Sequence, residues 1–301
     1  MGNFCIKEDP DKQVNRNKWI RMLREFRDLW GNPGEGGREM EESKDEGALY
    51  EKESFNEEIF SDLKEEEKAL LEFISTGNME IDRKLEGGVP VGSLCLLEGG
   101  NDSGKSILLQ QIMWGALNQD KRVLALTTEK TSKELLNQME SLKLGISEYF
   151  IIGRSKIFEI NASYVEENPQ LSESLLQVLL ECIKKCEEEL ILIDSLTIFA
   201  VNASENAVLN FFTECVKLCD RGKTILISVH GYAFSQVVLY RLRSVCSACL
   251  ELRIEQVGDQ RVKTMEIQKL RGARKITGNM VSFNVDSEFG LKIIPVSKVK
   301  A

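Results

Sequence analysis

Hydrophobic and polar positions fall into two regimes along the chain. Near the start, Trp19, Leu23, Phe26 and Trp30 recur at helical spacing with Ile20 beside them, which predicts a helix over 12–30. Arg16, Lys18, Arg21, Arg24 and Arg27 surround that stripe. A basic amphipathic helix of this kind can pack on its own domain, dock on a partner or lie on a membrane surface. Gly31-Asn32-Pro33-Gly34-Glu35-Gly36-Gly37 then breaks the helix, and the glutamate-rich run to residue 58 has too little apolar surface to order itself. Leu63, Leu70, Leu71 and Phe73 suggest a short helix over 61–73. From about residue 75, strand-length apolar runs alternate with segments of helical period.

Strands are predicted at 94–98, 123–127, 149–152, 190–193 and 224–229, and helices at 106–118, 132–142, 171–188 and 205–220. Strand–helix alternation implies a mainly parallel sheet with helices on both faces, an α/β fold. The end of the chain differs. Segments 250–256 and 261–268 flank Val257-Gly258-Asp259-Gln260, a hairpin signal, and 281–285 and 291–294 form a further pair, so the C-terminal strands extend the sheet antiparallel. The organisation is therefore a basic N-terminal helix (1–30), an acidic linker (31–58) and one α/β domain (59–301).

Composition adds little to this picture except in its distribution. Of 301 residues 42% are hydrophobic and 29% charged, ordinary for a globular chain. The net charge of −9 is local: residues 35–69 hold 14 Asp/Glu against 5 Lys/Arg, and the remainder is neutral. Without a basic excess, no nucleic-acid partner is expected. No apolar run approaches the length of a membrane span, and no secretory signal opens the chain, so a cytoplasmic location is expected. Met1-Gly2-Asn3-Phe4-Cys5-Ile6 lacks the Ser or Thr that a myristoylation site carries where Ile6 stands. The eight cysteines should be reduced thiols.

The decisive motif is Gly99-Gly100-Asn101-Asp102-Ser103-Gly104-Lys105-Ser106, which fits G-x-x-x-x-G-K-[ST]. Its glycines let successive backbone N–H groups turn around phosphate oxygens, Lys105 would reach the β- and γ-phosphates, and the Ser106 hydroxyl would hold Mg²⁺. It sits between an apolar strand and an amphipathic helix that begins with Ser106 and Ile107, the context such a loop requires. ATP with Mg²⁺ is the implied ligand. Leu190-Ile191-Leu192-Ile193-Asp194 supplies the second element, four apolar residues ending in a carboxylate suited to the magnesium side; the alternative is an Asp capping the next turn. Glu129, after the strand that follows the loop helix, would lie at the same carboxyl edge of the sheet and is the candidate to orient water; the alternative is a surface charge opening the next helix. Lys105 and Glu129 are thus the candidate catalytic residues.

Gly87-Gly88-Val89-Pro90-Val91-Gly92-Ser93, the phosphate loop, Thr127-Thr128-Glu129 and Ile193-Asp194-Ser195 together resemble the RecA/KaiC group of P-loop NTPases. Within it, Asn101-Asp102-Ser103, Gln138-Met139-Glu140-Ser141, Lys269-Leu270-Arg271-Gly272 and Phe289-Gly290-Leu291-Lys292-Ile293 resemble the FlaH (ArlH) family, accessory ATP-binding proteins of the archaellum motor. The resemblance covers about 74–301. It implies a RecA/KaiC-like core that forms a homo-oligomeric, hexameric ring. It also implies docking on the motor ATPase FlaI beneath the membrane platform FlaJ, hence a peripheral place at the membrane-bound motor. Lys269 and Arg271 match a pair that reaches a neighbour's γ-phosphate in KaiC-like rings; a basic pair on a strand face is the alternative. His230, the only histidine, ends an apolar strand where RecA-like folds place a γ-phosphate sensor; a hydrogen-bonded histidine at a strand end is the other reading. KaiC-type sites carry paired glutamates where Glu129 is followed by Lys130, which implies slow or partner-regulated hydrolysis.

Cys246 and Cys249 form a C-x-x-C, but Cys182/Cys186 and Cys215/Cys219 coincide with apolar helical stripes, so core packing is expected in preference to zinc. Three functions compete: a nucleotide-gated assembly factor of a motor, a KaiC-like signalling ATPase or autokinase, and a RecA-type recombinase. The segment 231–243 is short and only modestly basic, which weighs against the last.

Overall fold

The computed structural model describes residues 72–257, 260–271, 280–286 and 290–294. The predicted helix 12–30, the linker 31–58 and nearly all of the helix 61–73 fall outside the described residues. At the end of that last segment the expectation fails: Phe73 is in a strand, β1 (Phe73–Ile74), paired antiparallel with β2 (Val89–Pro90). Between them lies α1 (Met79–Lys84), opened by Asn78, whose side chain accepts the N–H groups of Glu80 and Ile81.

Among the described residues the main sheet has nine strands, in the order β11-β10-β9-β8-β3-β7-β6-β4-β5. Its parallel part comprises β3 (Leu94–Gly99), β4 (Val123–Thr127), β5 (Ser155–Glu159), β6 (Leu190–Asp194), β7 (Thr224–Val229) and β8 (Ala248–Val257). Every residue of β3, β4 and β7 is buried, which is why these strands read as continuous apolar runs: both faces are covered by helices. β9 (Gln260–Leu270), β10 (Met280–Asp286) and β11 (Gly290–Ile294) continue the sheet antiparallel, as the hairpin signal predicted.

Helix α2 (Lys105–Asn118) follows the phosphate loop and is buried on most of its turns, Gln110 and Gln111 included. Helix α3 (Ser132–Ser141) opens with a capping box between Thr131 and Glu134. The predicted strand at 149–152 is a correction. Those residues lie in α4 (Ser147–Ile151) and its cap, with Ile151 81% and Ile152 65% exposed. A short apolar run cannot be assigned by period alone, and here the following Gly153, at φ +76°, ends the helix so that the strand begins only at Ser155.

Three further helices went unpredicted: α5 (Ala162–Glu167), α7 (Thr197–Asn202) and α9 (Gln236–Val245). The two long helices α6 (Ser172–Lys185) and α8 (Glu205–Cys219) lie between them as expected. The segment after His230 is thus mostly the helix α9, N-capped by the Ser235 hydroxyl, which accepts the Val238 N–H at 3.3 Å. The seven described cysteines are free and buried, as core packing requires.

Candidate functional site

The carboxyl ends of the parallel strands meet at one edge of the sheet, and the predicted residues are delivered there by strand order. β3 runs into the phosphate loop. Asp194 is the last residue of β6, in register with Thr127 at the end of β4. Glu129 stands two residues past β4, and His230 one residue past β7. Asn101 to Ile107, Glu129, Lys130, Gln138, Asp194, His230, Lys263 and Val285 line one cavity of about 590 Å³.

The loop's shape depends on its glycines at two points. Gly104 sits at φ +101°, and a Cβ there would stand 2.9 Å from the ring of Phe283 on β10. A Cβ on Gly99 would stand 2.4 Å from the Leu252 carbonyl oxygen on β8. The second close approach lets the neighbouring strand pass beneath the turn. Lys105, 6% exposed as a residue, donates from its ammonium to the carbonyls of Gly99 (3.0 Å) and Gly100 (2.7 Å). Burial pushes its pKa below the ordinary lysine value, opposed by the carboxylates of Asp194, Glu129 and Asp102. Those anions keep a cation where phosphate charge would accumulate.

Asp194 Oδ1 accepts the buried Ser228 hydroxyl at 2.7 Å, which fixes the carboxylate at the strand end. Asp194 and the Ser106 hydroxyl line the same cavity. These are oxygen donors, one of them anionic, and they fit Mg²⁺, which takes one or two protein oxygens and completes its shell with water and phosphate.

Glu129 accepts the Ser195 hydroxyl at Oε1 (3.1 Å), while the Glu129 N–H donates to Thr127 Oγ1 (3.2 Å). The Ser195 N–H in turn donates to Thr128 Oγ1 at 3.1 Å, so the ends of β4 and β6 are stitched together beneath the carboxylates. His230 is anchored twice to Thr197 at the start of α7: its N–H donates to Thr197 Oγ1 (3.0 Å), and Nδ1 lies 3.1 Å from the same oxygen. Burial, reinforced by Lys105 and opposed by Glu129 and Asp194, lowers the histidine's pKa, so the ring is neutral at pH 7.

Lys269 and Arg271 do not join this group. The Lys269 ammonium donates to the carbonyls of Arg243 (3.0 Å) and Ser244 (2.8 Å) at the end of α9. Arg271 is exposed, and its N–H donates to the Ser247 carbonyl. Neither lines the cavity of its own chain.

Sequence reasoning missed Ser195, Thr197, Ser228, Lys263 and Val285. Ser195 and Thr197 lie one and three residues beyond Asp194 and could have been proposed from that spacing. Lys263 and Val285 arrive on antiparallel strands with no local signal.

A family model for the KaiC ATPase matches residues 74–298. The archaeal flagellar ATP-binding protein FlaH of Sulfolobus acidocaldarius is 35% identical over 229 residues, covering 76% of this chain and 99% of that protein. FlaH of Methanocaldococcus jannaschii is 23% identical over 215 residues, 71% of this chain and 91% of that one. The crystal structure of the latter organism's flagellar accessory protein FlaH superposes with a TM-score of 0.63, covering 72% and 95% of the two chains. A KaiC-like protein of Pyrococcus horikoshii gives 0.60 at 18% identity, over 75% and 100%. The phosphate loop at one end of a parallel sheet, its antiparallel extension and these matches lead to one assignment: the chain belongs to the KaiC-type ATPases, and within them to the FlaH type.

Proposed function

We propose that this chain is an ATP-binding accessory component of the archaellum motor, gating assembly by nucleotide state and hydrolysing ATP slowly or under a partner's control. What carries the reading is the convergence of Lys105, Glu129, Asp194 and His230 on one phosphate-loop cavity in a chain related over nearly the whole length of a protein named archaeal flagellar ATP-binding protein. Backbone N–H groups of 101–106 and the Lys105 ammonium would bind the phosphates, and Ser106 and Asp194 would hold Mg²⁺, which would neutralise charge on the phosphate oxygens. His230, neutral and braced by Thr197, meets the terminal phosphate and reports its presence to α7.

Glu129 Oε1 accepts the Ser195 hydroxyl, which holds the carboxylate in place and leaves Oε2 to orient water. Restrained hydrolysis is supported by its neighbour. Lys130, also lining the cavity, supplies a cation where a second acid would aid deprotonation of water. Lys269 and Arg271 lie away from the cavity of their own chain, so a part for them in phosphate chemistry requires a neighbouring copy, in a hexameric ring, to present them in trans. Docking on FlaI beneath FlaJ would place the protein at the membrane without a span of its own; among the described residues no helix is long and apolar enough to cross one.

The test pairs Mg-ATP affinity and turnover with the oligomeric state in ATP, in ADP and without nucleotide. The expected result is tight binding abolished by Lys105→Ala, turnover well below about 1 s⁻¹ and an assembly that differs between the three conditions. Turnover near or above that rate, lost in Glu129→Gln, would replace the gate with a working ATPase. Identical assembly and partner affinity in all three conditions would end the gating idea, because a ligand shifts an equilibrium only through differential affinity.

A further inference from the structure

The phosphate loop is held by two lysines, and only one belongs to its motif. Lys105 takes the carbonyls of Gly99 and Gly100. Lys263, 161 positions from the loop in sequence, donates its ammonium to the carbonyl of Asp102. It comes from β9, where its Cα pairs with Ile254 of β8 on one side and Phe283 of β10 on the other. The Phe283 ring packs where a Gly104 side chain would be, and the Lys263 stem passes 3.7 Å from the same point. Loop, hairpin and β10 therefore meet within a few ångströms.

Asp102 is a non-glycine residue at φ +57°, and the peptide it forms with Ser103 is trans. Aspartate is among the few L-residues that adopt left-handed backbone readily, so the Lys263 contact acts on the direction of the peptide and not on relief of strain. A trans peptide carries its C=O and N–H on opposite sides. A lysine that fixes the Asp102 carbonyl therefore also fixes the direction of the Ser103 N–H, one of the groups from which the phosphate cradle is made.

We infer that Lys263 is a positioning residue for polyphosphate binding: through the Asp102–Ser103 peptide it holds the phosphate loop in its binding shape and ties that shape to the β8–β9 hairpin. The inference rests on the nucleotide-binding reading above. Its consequence is regulatory. A partner that shifts the hairpin changes nucleotide affinity without entering the cavity.

The experiment compares wild type, Lys263→Met, which keeps the stem and removes the cation, and Lys263→Arg, which restores a donor. Mg-ATP, Mg-ADP and Mg-tripolyphosphate are titrated into each full-length protein, and hydrogen exchange is followed across the 99–106 peptide. A positioning role predicts affinity for all three ligands lowered by the same factor, about tenfold for a lost charged hydrogen bond. Exchange should quicken in the 99–106 peptide while the global Tm is unchanged, with recovery in the arginine variant. Equal affinities in wild type and Lys263→Met would overturn the inference. So would a loss for ATP and ADP with tripolyphosphate unaffected, because Lys263 would then touch the nucleoside and leave the loop alone. A wild-type protein that binds none of the three would instead refute the nucleotide-binding reading itself.

Discussion

Gly104→Ala is the substitution whose cost the structure specifies most fully. The residue lies at φ +101° and ψ 9°, outside the small left-handed well open to L-residues. Backbone strain alone is worth about 1–2 kcal/mol. The new methyl would also stand 2.9 and 3.0 Å from two ring atoms of Phe283, which is 3% exposed and has little room to retreat. Overpacking of this kind costs about 1–3 kcal/mol. The two terms together give a loss of about 2–5 kcal/mol, or a fall in Tm on the order of 10 °C for a domain of this size. Urea denaturation followed by circular dichroism measures the loss, and a Mg-ATP titration below the transition measures the damage to the loop. A double-mutant cycle with Phe283→Leu separates the two terms. Trimming the ring removes the clash and leaves the strain, so the double variant should recover about 1–3 kcal/mol relative to additivity. A single variant within about 1 kcal/mol of wild type, with unaltered ATP affinity, would refute the reasoning.

Three other outcomes follow from the same structure. Arg243 makes two hydrogen bonds, 3.0 and 2.6 Å, to one oxygen of the nearly buried Glu98 at the end of β3; because the pair keeps some solvent access, Arg243→Met should cost about 2–3 kcal/mol in urea, and adding Glu98→Gln should restore part of it. The lowered pKa of His230 gives stability that is complete above its unfolded value of about 6.5 and is lost as pH falls, whereas a bound γ-phosphate favours the protonated ring. Calorimetry in buffers of different ionisation heat should therefore show more proton uptake with ATP than with ADP, and His230→Asn should abolish the difference. Burial pushes the thiols of Cys182 and Cys219 up to about 12, so peptide mapping after iodoacetamide treatment at pH 8 should find both unlabelled in the native protein and fully labelled in guanidinium.

What the sequence determined by itself is what is encoded locally. The phosphate loop is eight consecutive residues, so its glycines, lysine and hydroxyl are legible together as one motif. The buried parallel strands were legible because burial on both faces demands an unbroken apolar run, and Asp194 and Glu129 could be placed because a parallel sheet brings strand ends to one edge. The run at 149–152 misled for the same kind of reason: Ile151 and Ile152 are apolar but exposed, and nothing local says which way they face. Only the tertiary structure decided that Phe283 fills the space at Gly104, that Thr197 braces His230, that Ser195 occupies one oxygen of Glu129, and that Lys263 reaches the Asp102 carbonyl. It also set Lys269 on the end of α9, away from the cavity of its own chain. Each of these depends on the register between strands distant in sequence, and register is fixed by packing across the whole sheet, which no short window of residues contains.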